Sequence, residues 1–241
     1  MNTIFNQLYL PYLSTLGYFP SENVHNNCGL NFELDSSIGT GYYWVYPVDN
    51  LYAIAVYALN VKSHISFQIK HPPFLCLGNY KTSNPKLILG NEITSQESLH
   101  GFVGANDVYT QTLIKDLWVH SVGITLTPEF YNELLPSRYA GDFQSLVHAF
   151  SRLNGNESVP EIAMILKQIK AFQPSKDIAK MYYESKIMEI VSLIIHWGKN
   201  RLLFSTTDDL PDWQMHQLKE VRTYLNANST DSLHDIASGT Y

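Results

Sequence analysis

Between about residues 28 and 125, apolar and polar positions alternate with a period of two. In "NFELD", Phe32 and Leu34 are separated by polar neighbours. In "ISFQIK", Ile65, Phe67 and Ile69 share one face and Ser66, Gln68 and Lys70 the other. Turn signals break this region at short intervals, in "SSIGTG", "PVDN", "HPP", "GNYKTSNP", "LGNE" and "GANDV". About six to nine short strands so spaced predict an antiparallel sandwich or small barrel rather than a parallel sheet with crossover helices. The longest apolar run, "LYAIAVYAL" at 51–59, is half the length a bilayer crossing requires and reads as a buried strand.

Past residue 126 the period lengthens to that of helices. "TPEF" at 127–130 supplies a Thr N-cap, Pro at the first helical position and Glu in the first turn, with Leu134 and Leu135 following; Pro136 is expected to end the piece. A second helix is expected over 142–152. A third runs from the capping box Ser158-Val-Pro-Glu161 to about Phe172. From Ser175 to about Phe204 a single helix of about 45 Å is predicted at 1.5 Å per residue. Its later apolar residues spread around most of the circumference, so it has to be covered on more than one side. The β unit supplies one cover. The other is expected to be a second copy of the chain, with Ile187, Ile190, Val191, Ile194 and Trp197 as the dimer contact; burial wholly inside one subunit is the alternative. After "STTDD" a further amphipathic helix begins at Leu210-Pro211 and carries Leu218, Val221 and Leu225. Ser232 with Asp235 then caps another.

The segment "MHQLKEVRTYLNANSTDSLHDIA" resembles the start of the DNA-binding domain of the AraC/XylS family of bacterial transcription regulators, at Val221, Tyr224, Leu225, Asn228, Ser232, Leu233, Ile236 and Ala237. Upstream, "KMYYESKIMEIVSLII" is similar to a helix of the regulatory half of such proteins. The resemblance implies an α+β chain in three parts. A cupin-like antiparallel β-barrel or sandwich over 1–126 senses an effector, a helical connector over 127–206 dimerises, and 210–241 begin a DNA-binding domain. Val221, Leu225, Leu233, Ile236 and Ala237 would form the core of that last part. A helix-turn-helix reads bases with its second helix, and none follows Ala237, so the expectation is a chain truncated within the first helix-turn-helix. DNA would then be bound only by the full-length protein, as a homodimer.

Composition changes this picture only at its edges. Of 241 residues 45% are apolar and 16% charged, and the formal charge is -6, which leaves no electrostatic footprint for autonomous nucleic-acid binding. The first Lys or Arg is Lys62 and there are two cysteines, Cys28 and Cys76, so a reducing cytoplasm is expected and a secretory leader or membrane span is not. The nine histidines never fall at H-x-H or H-x-x-x-H spacing, and phosphate-loop and nucleophile-elbow motifs are absent; no catalytic residue, metal or cofactor is assigned. A cupin-fold metal-dependent enzyme, or a standalone small-molecule-binding module with a helical tail, is the alternative. The partner expected is a small, neutral or weakly polar effector. Its candidate contacts are Tyr42, Trp44 and Tyr46, which share one strand face in "GYYWVYP", and Trp118 with His120 in "LWVHS". His64 and His71, beside turns, are expected to be solvated, and Cys76 to be a small buried hydrophobe.

Overall fold

The computed structural model describes residues 3–22, 25–82, 97–106, 108–141, 143, 145–153 and 159–204. Its strands are β1 (Tyr18–Pro20), β2 (Leu30–Leu34), β3 (Gly39–Val48), β4 (Tyr52–Val61), β5 (Ile65–Lys70), β6 (Phe74–Thr82), β7 (Glu97–Gly104), β8 (Val108–Leu113) and β9 (Val119–Leu126). Seven form one sheet in the order β1-β2-β3-β4-β9-β6-β7, and β5 pairs with β8 in a second sheet. Every pairing between these strands is antiparallel. The helices are α1 (Leu10–Leu16), α2 (Leu135–Arg138), α3 (Ser145–Arg152), α4 (Pro160–Ala171) and α5 (Lys176–Phe204). This is the expected α+β class, sandwich-like, with the helical layer following the sheets. Residues 1–198 form one compact unit and 199–241 a second. Val221, Leu225, Leu233, Ile236 and Ala237 lie outside the described residues, as does Ser158 of the expected capping box. No helix among the described residues is long and apolar enough to cross a membrane.

The run read as a buried strand is β4, in which only Asn60 is not fully buried. Its two faces go to two different cores. Tyr52, Ile54 and Val56 join Val122, Ile124 and Leu126 of β9 beneath α3, α4 and α5. Ala53, Ala55 and Tyr57 face the other way, toward Leu8, Leu13 and Leu16 of the N-terminal helical segment. The turn joining β3 to β4 is the predicted "PVDN": Asp49 takes φ 47, and the Leu51 N–H donates to the Val48 carbonyl at 3.0 Å.

Two Leu-Pro steps shape the helices that flank the sheet. Leu10-Pro11 and Leu135-Pro136 each follow a wide π-type turn, Phe5–Tyr9 and Glu129–Leu134, in which the leucine N–H reaches back five residues to the Phe5 or Phe130 carbonyl. A proline ring crowds the carbonyl four residues before it, and the wider turn relieves that contact. Pro136 therefore does not end its helix as expected. It sits in the first turn of α2, where its missing N–H costs nothing, and the helix continues to Arg138. Thr127 caps the segment as predicted, its Oγ1 accepting the Phe130 N–H at 3.3 Å while donating to the Asn50 carbonyl at 2.5 Å.

The long helix α5 is anchored at its start. The Ser175 carbonyl accepts the N–H groups of Ile178 (3.1 Å) and Ala179 (3.0 Å), and the Cys28 thiol donates to the Pro174 carbonyl at 3.2 Å. From the same loop, Asn26 Nδ2 donates to the Tyr183 hydroxyl at 3.0 Å, and the Trp44 indole N–H donates to the Cys28 carbonyl at 2.5 Å. One short loop thus ties β3 to α5. The inward side of α5 carries Ala179, Tyr183, Ile187, Ile190, Val191 and Ile194, none more than 3% exposed. The structure places the four aliphatic residues expected to meet a second copy in the chain's own core, and Trp197 half-buried against that core. Their apolar surface is used within the subunit, so α5 meets the condition of cover without a partner at those positions.

These positions make opposite demands on stability. Ile190→Ala, which empties a fully buried site, is expected to cost about 2–5 kcal/mol, while Met181→Ala, on a residue 70% exposed, stays within about 0.5 kcal/mol. Urea unfolding of the two variants checks the assignment of inner and outer faces.

Candidate functional site

The register of three strands leaves a hollow. Ala55 of β4 pairs with Gly123 of β9, which pairs with Gly78 of β6, so a row across the middle of the sheet carries almost no side chain. The flanking rows, Tyr57–Ser121–Tyr80 and Ala53–Thr125–Cys76, carry larger groups at every position but Ala53. Above the small row lies a cavity of about 130 Å³. Leu8, Tyr9 and Tyr12 of the N-terminal helical segment line it from one side and Tyr109 and Gln111 of β8 from another. A Cβ on Gly78 would come within 2.7 Å of the Tyr80 ring, so glycine here lets that ring lie down over the sheet.

The walls are aromatic and uncharged. Tyr43 stacks on Tyr57 with centroids 4.9 Å apart, and Tyr9, Tyr12 and Tyr18 meet Tyr43 edge-on or tilted at 5.7 to 6.3 Å. Several of the polar groups are already engaged: Tyr9 and Thr125 share a hydroxyl hydrogen bond at 2.8 Å, Tyr12 bonds Gln111, and Tyr57 bonds Ser121. Burial drives the phenols of Tyr43, Tyr57 and Tyr80 far above their ordinary value and that of Tyr109 to about 12, and it raises the Cys76 thiol to about 11. Desolvation disfavours each charged form, so these groups stay neutral through the physiological range and Cys76 is a poor nucleophile. No Lys, Arg, Asp or Glu lines the cavity. Among the described residues no group of three or more His, Cys, Asp or Glu is placed to hold a metal ion.

Tyr42, Trp44 and Tyr46 share a face, as their alternation requires, but it is the face turned toward α5. Trp44 is 1% exposed and tilts against Tyr183 at 5.8 Å; Tyr46 lies 4.7 Å from the same ring. Tyr42 stacks on His25 at 4.4 Å. Trp118 and His120 stack on one another at 5.7 Å and 16°, and register places His120 in one cross-strand row with Ala58 and Tyr42. None of these five lines the cavity, which opens on the opposite face of the sheet. The lining residues Tyr43, Tyr57, Tyr80 and Tyr109 come one to a strand. The signal in the sequence that could have found them is the pair of glycines inside "LCLGNY" and "SVGIT", since glycine in a strand interior marks a close approach. His71 also departs from expectation. It is 7% exposed, because the strand end folds it under Phe74 and Tyr109. Cys76 is half-buried and lines the cavity.

What fold and site define is a β unit with an uncharged aromatic interior on one face of its main sheet and a helical layer on the other. The family described as the regulatory protein PchR N-terminal domain matches residues 55–198, more than half of the chain. The chain belongs to that family of regulatory domains. No curated protein matches it. Among solved structures, vicilin from Corylus avellana (hazelnut) is similar at 12% identity and a TM-score of 0.20, covering 66% of this chain. The match spans about half of that protein, 51% of its chain. A likeness at this level says nothing further about the fold.

Burial makes His25, His71, His100 and His120 harder to protonate in the fold than in the unfolded chain. Because the unfolded chain takes up the protons first, this contribution to stability is complete above the ordinary histidine value of 6.5 and is lost as pH falls below it. The urea midpoint is expected to drop between about pH 6.5 and 5, and to drop less steeply in His71→Leu than in the parent chain.

Proposed function

We propose that this regulatory domain senses a small neutral molecule held in the tyrosine-lined cavity, and that occupancy alters how the helical layer presents a DNA-binding domain beginning near residue 210. The single observation that carries the reading is the cavity itself, floored by Ala55, Gly123 and Gly78. The strands of that floor bear Ile54, Ile124 and Leu77 on their other face, in the core beneath α4 and α5. A ligand pressing on the floor therefore acts on strands that also support the helices, and it shifts their arrangement by whatever difference in affinity it has for two states. The AraC/XylS resemblance over 210–241 supports assigning the output to a helix-turn-helix DNA-binding domain, in a cytoplasmic regulator with no catalytic step of its own.

A second copy is proposed to dock on the outward stripe of α5. Ile178, Met181, Ser185, Met188, Ser192 and Ile195 recur at alternating steps of three and four, the spacing of a helix-pair seam. The stripe runs beside the side buried in the chain's own core, against which Met188 and Ile195 pack in part. Ile178 and Met181 are exposed, and serine at two seam positions allows close approach.

Dialysis of the chain against a cell extract, followed by mass spectrometry, is expected to retain one compound in near-stoichiometric amount, and Ala55→Phe, with parental circular dichroism, to retain none. Retention of nothing by the parent, or equal retention by both chains, would remove the sensor reading. For self-association, sedimentation at micromolar concentration is expected to give twice the chain mass, falling to the single mass in the pair Ile178→Glu with Met181→Glu, both exposed positions. A parent that sediments as a monomer defeats the dimer.

A further inference from the structure

Three basic side chains from three elements gather on the helical face of the main sheet, away from the tyrosine-lined cavity. Register puts Tyr42 of β3, Ala58 of β4 and His120 of β9 in one row, so Tyr42 and His120 leave the same face about 10 Å apart, two strand spacings. Ala58 between them carries only a methyl group. Each end of the row holds an imidazole laid on an aromatic ring: His25 stacks on Tyr42 at 4.4 Å and 23°, and His120 on Trp118 at 5.7 Å and 16°. The last turn of α4 brings Lys170 to the same place, since three residues further on Gln173 Nε2 donates to the His25 carbonyl at 2.8 Å. Partial burial, and then the charge of Lys170, hold both imidazoles below the ordinary histidine value, so one ammonium acts on both rings.

The three groups are open and unpaired. His25 and His120 are half-buried and Lys170 is exposed. Among the described residues none of these side chains has a hydrogen-bond or ion-pair partner, and neither imidazole has a nitrogen sealed from water. No carboxylate acts on either ring. The charges that do are Lys170 on both and Lys81 on His120; Lys81 stands next in the row, opposite Glu97 of β7. In a chain with 22 acidic residues against 16 basic ones, basic groups brought together without a counter-charge run against composition. Their repulsion is relieved by an anion, which also gains charge-assisted hydrogen bonds.

We infer that His25, His120 and Lys170 bind the carboxylate or phosphate group of a small molecule at this edge of the helical face. The site is separate from the effector cavity, which opens on the other face of the sheet, and does not depend on that reading. An oxyanion offers several acceptor oxygens, to which imidazolium and ammonium N–H groups donate. Binding favours the charged rings and therefore takes up protons. Affinity is greatest below the ordinary histidine value of 6.5 and falls as pH rises through it. His25 begins the loop that ties β3 to α5 through Asn26 and Cys28, so an anion bridging His25 to His120 fastens that loop to β9 as well.

The test titrates the full chain with sulfate, whose charge is constant over the range used, at fixed ionic strength in chloride, and follows the imidazole resonances. At pH 6 saturable shifts are expected at His25 and His120 but not at His64 and His148, which are exposed elsewhere. At pH 8 the affinity is expected to be at least about tenfold lower. These two measurements need no variant. Lys170→Gln is expected to lose about tenfold at pH 6, as one charge-assisted hydrogen bond requires, and His120→Gln to flatten the pH profile, both with parental circular dichroism. Equal shifts at all four histidines, one affinity at both pH values, or parental affinity in Lys170→Gln means an adventitious ion only and overturns the site. Phenyl phosphate and benzoate then compete with sulfate. Displacement by the first supports the site with a phosphate ester as its occupant, and by the second with a carboxylate. Displacement by neither, or by duplex DNA at a lower concentration than by both, overturns the small-molecule class. Failure at any of these points leaves the cavity reading standing, because retention in dialysis tests that reading on the other face.

Discussion

Strand β4 must be covered on both faces, because apolar side chains project from each side of it and neither side can be left in water. The two coverings are made differently. On the helical face Ile54, Val56, Ile124 and Leu126 meet Ile187, Ile190 and Ile194 in one continuous aliphatic core. On the other face the same strands run out of bulk at Ala55 and Gly123, and with Gly78 beside them the sheet cannot fill the space above itself. Tyrosines reach in from neighbouring elements instead. They span the gap without filling it, because a ring attached at the edge of the hollow blocks its rim before it occupies its centre.

Spanning the hollow with tyrosine has its own cost, since each buried hydroxyl needs a partner. Tyr9, Tyr12 and Tyr57 find theirs in Thr125, Gln111 and Ser121, which also fixes their ring positions and keeps the cavity's outline.

Much of the architecture is legible from periodicity, and the failures have physical causes. Alternation locates β2, β3 and β5, turn spacing gives the number of short strands, and the apolar run at 51–59 is recognisably a strand with no wet face. The helices α3, α4 and α5 are legible from their apolar stripes, while Ser158 of the expected capping box of α4 lies outside the described residues. What period two cannot say is which face of a doubly buried strand is packed solid and which is hollow. Trp44 draws a ligand reading to the helical face, away from the cavity, because indole is a good stacking platform, yet the same area makes it a good core residue, and its N–H is satisfied by Cys28. The hollow depends on which small residues fall opposite one another, and that is a property of register across β4, β9 and β6 rather than of any one segment. His71 looked solvated because it borders Pro72-Pro73, and a turn beside a strand was taken for an exposed one. The spread of apolar residues around α5 was read correctly as a demand for cover on several sides; the chain's own sheet and helices meet that demand at Ile187, Ile190, Val191 and Ile194.

The helical segment that lines the cavity belongs to the first sixteen residues, and Tyr9 finds its partner Thr125 across 116 positions of sequence. During synthesis that segment leaves the ribosome early and has to wait, its aromatic side uncovered, until β9 has been made. Non-local closure of this kind is slow and leaves sticky surface exposed meanwhile. The lining of the cavity is thus completed only when β9 has been made, and until then the segment from Phe5 to Leu16 is a natural target for a chaperone that holds unfinished polypeptides.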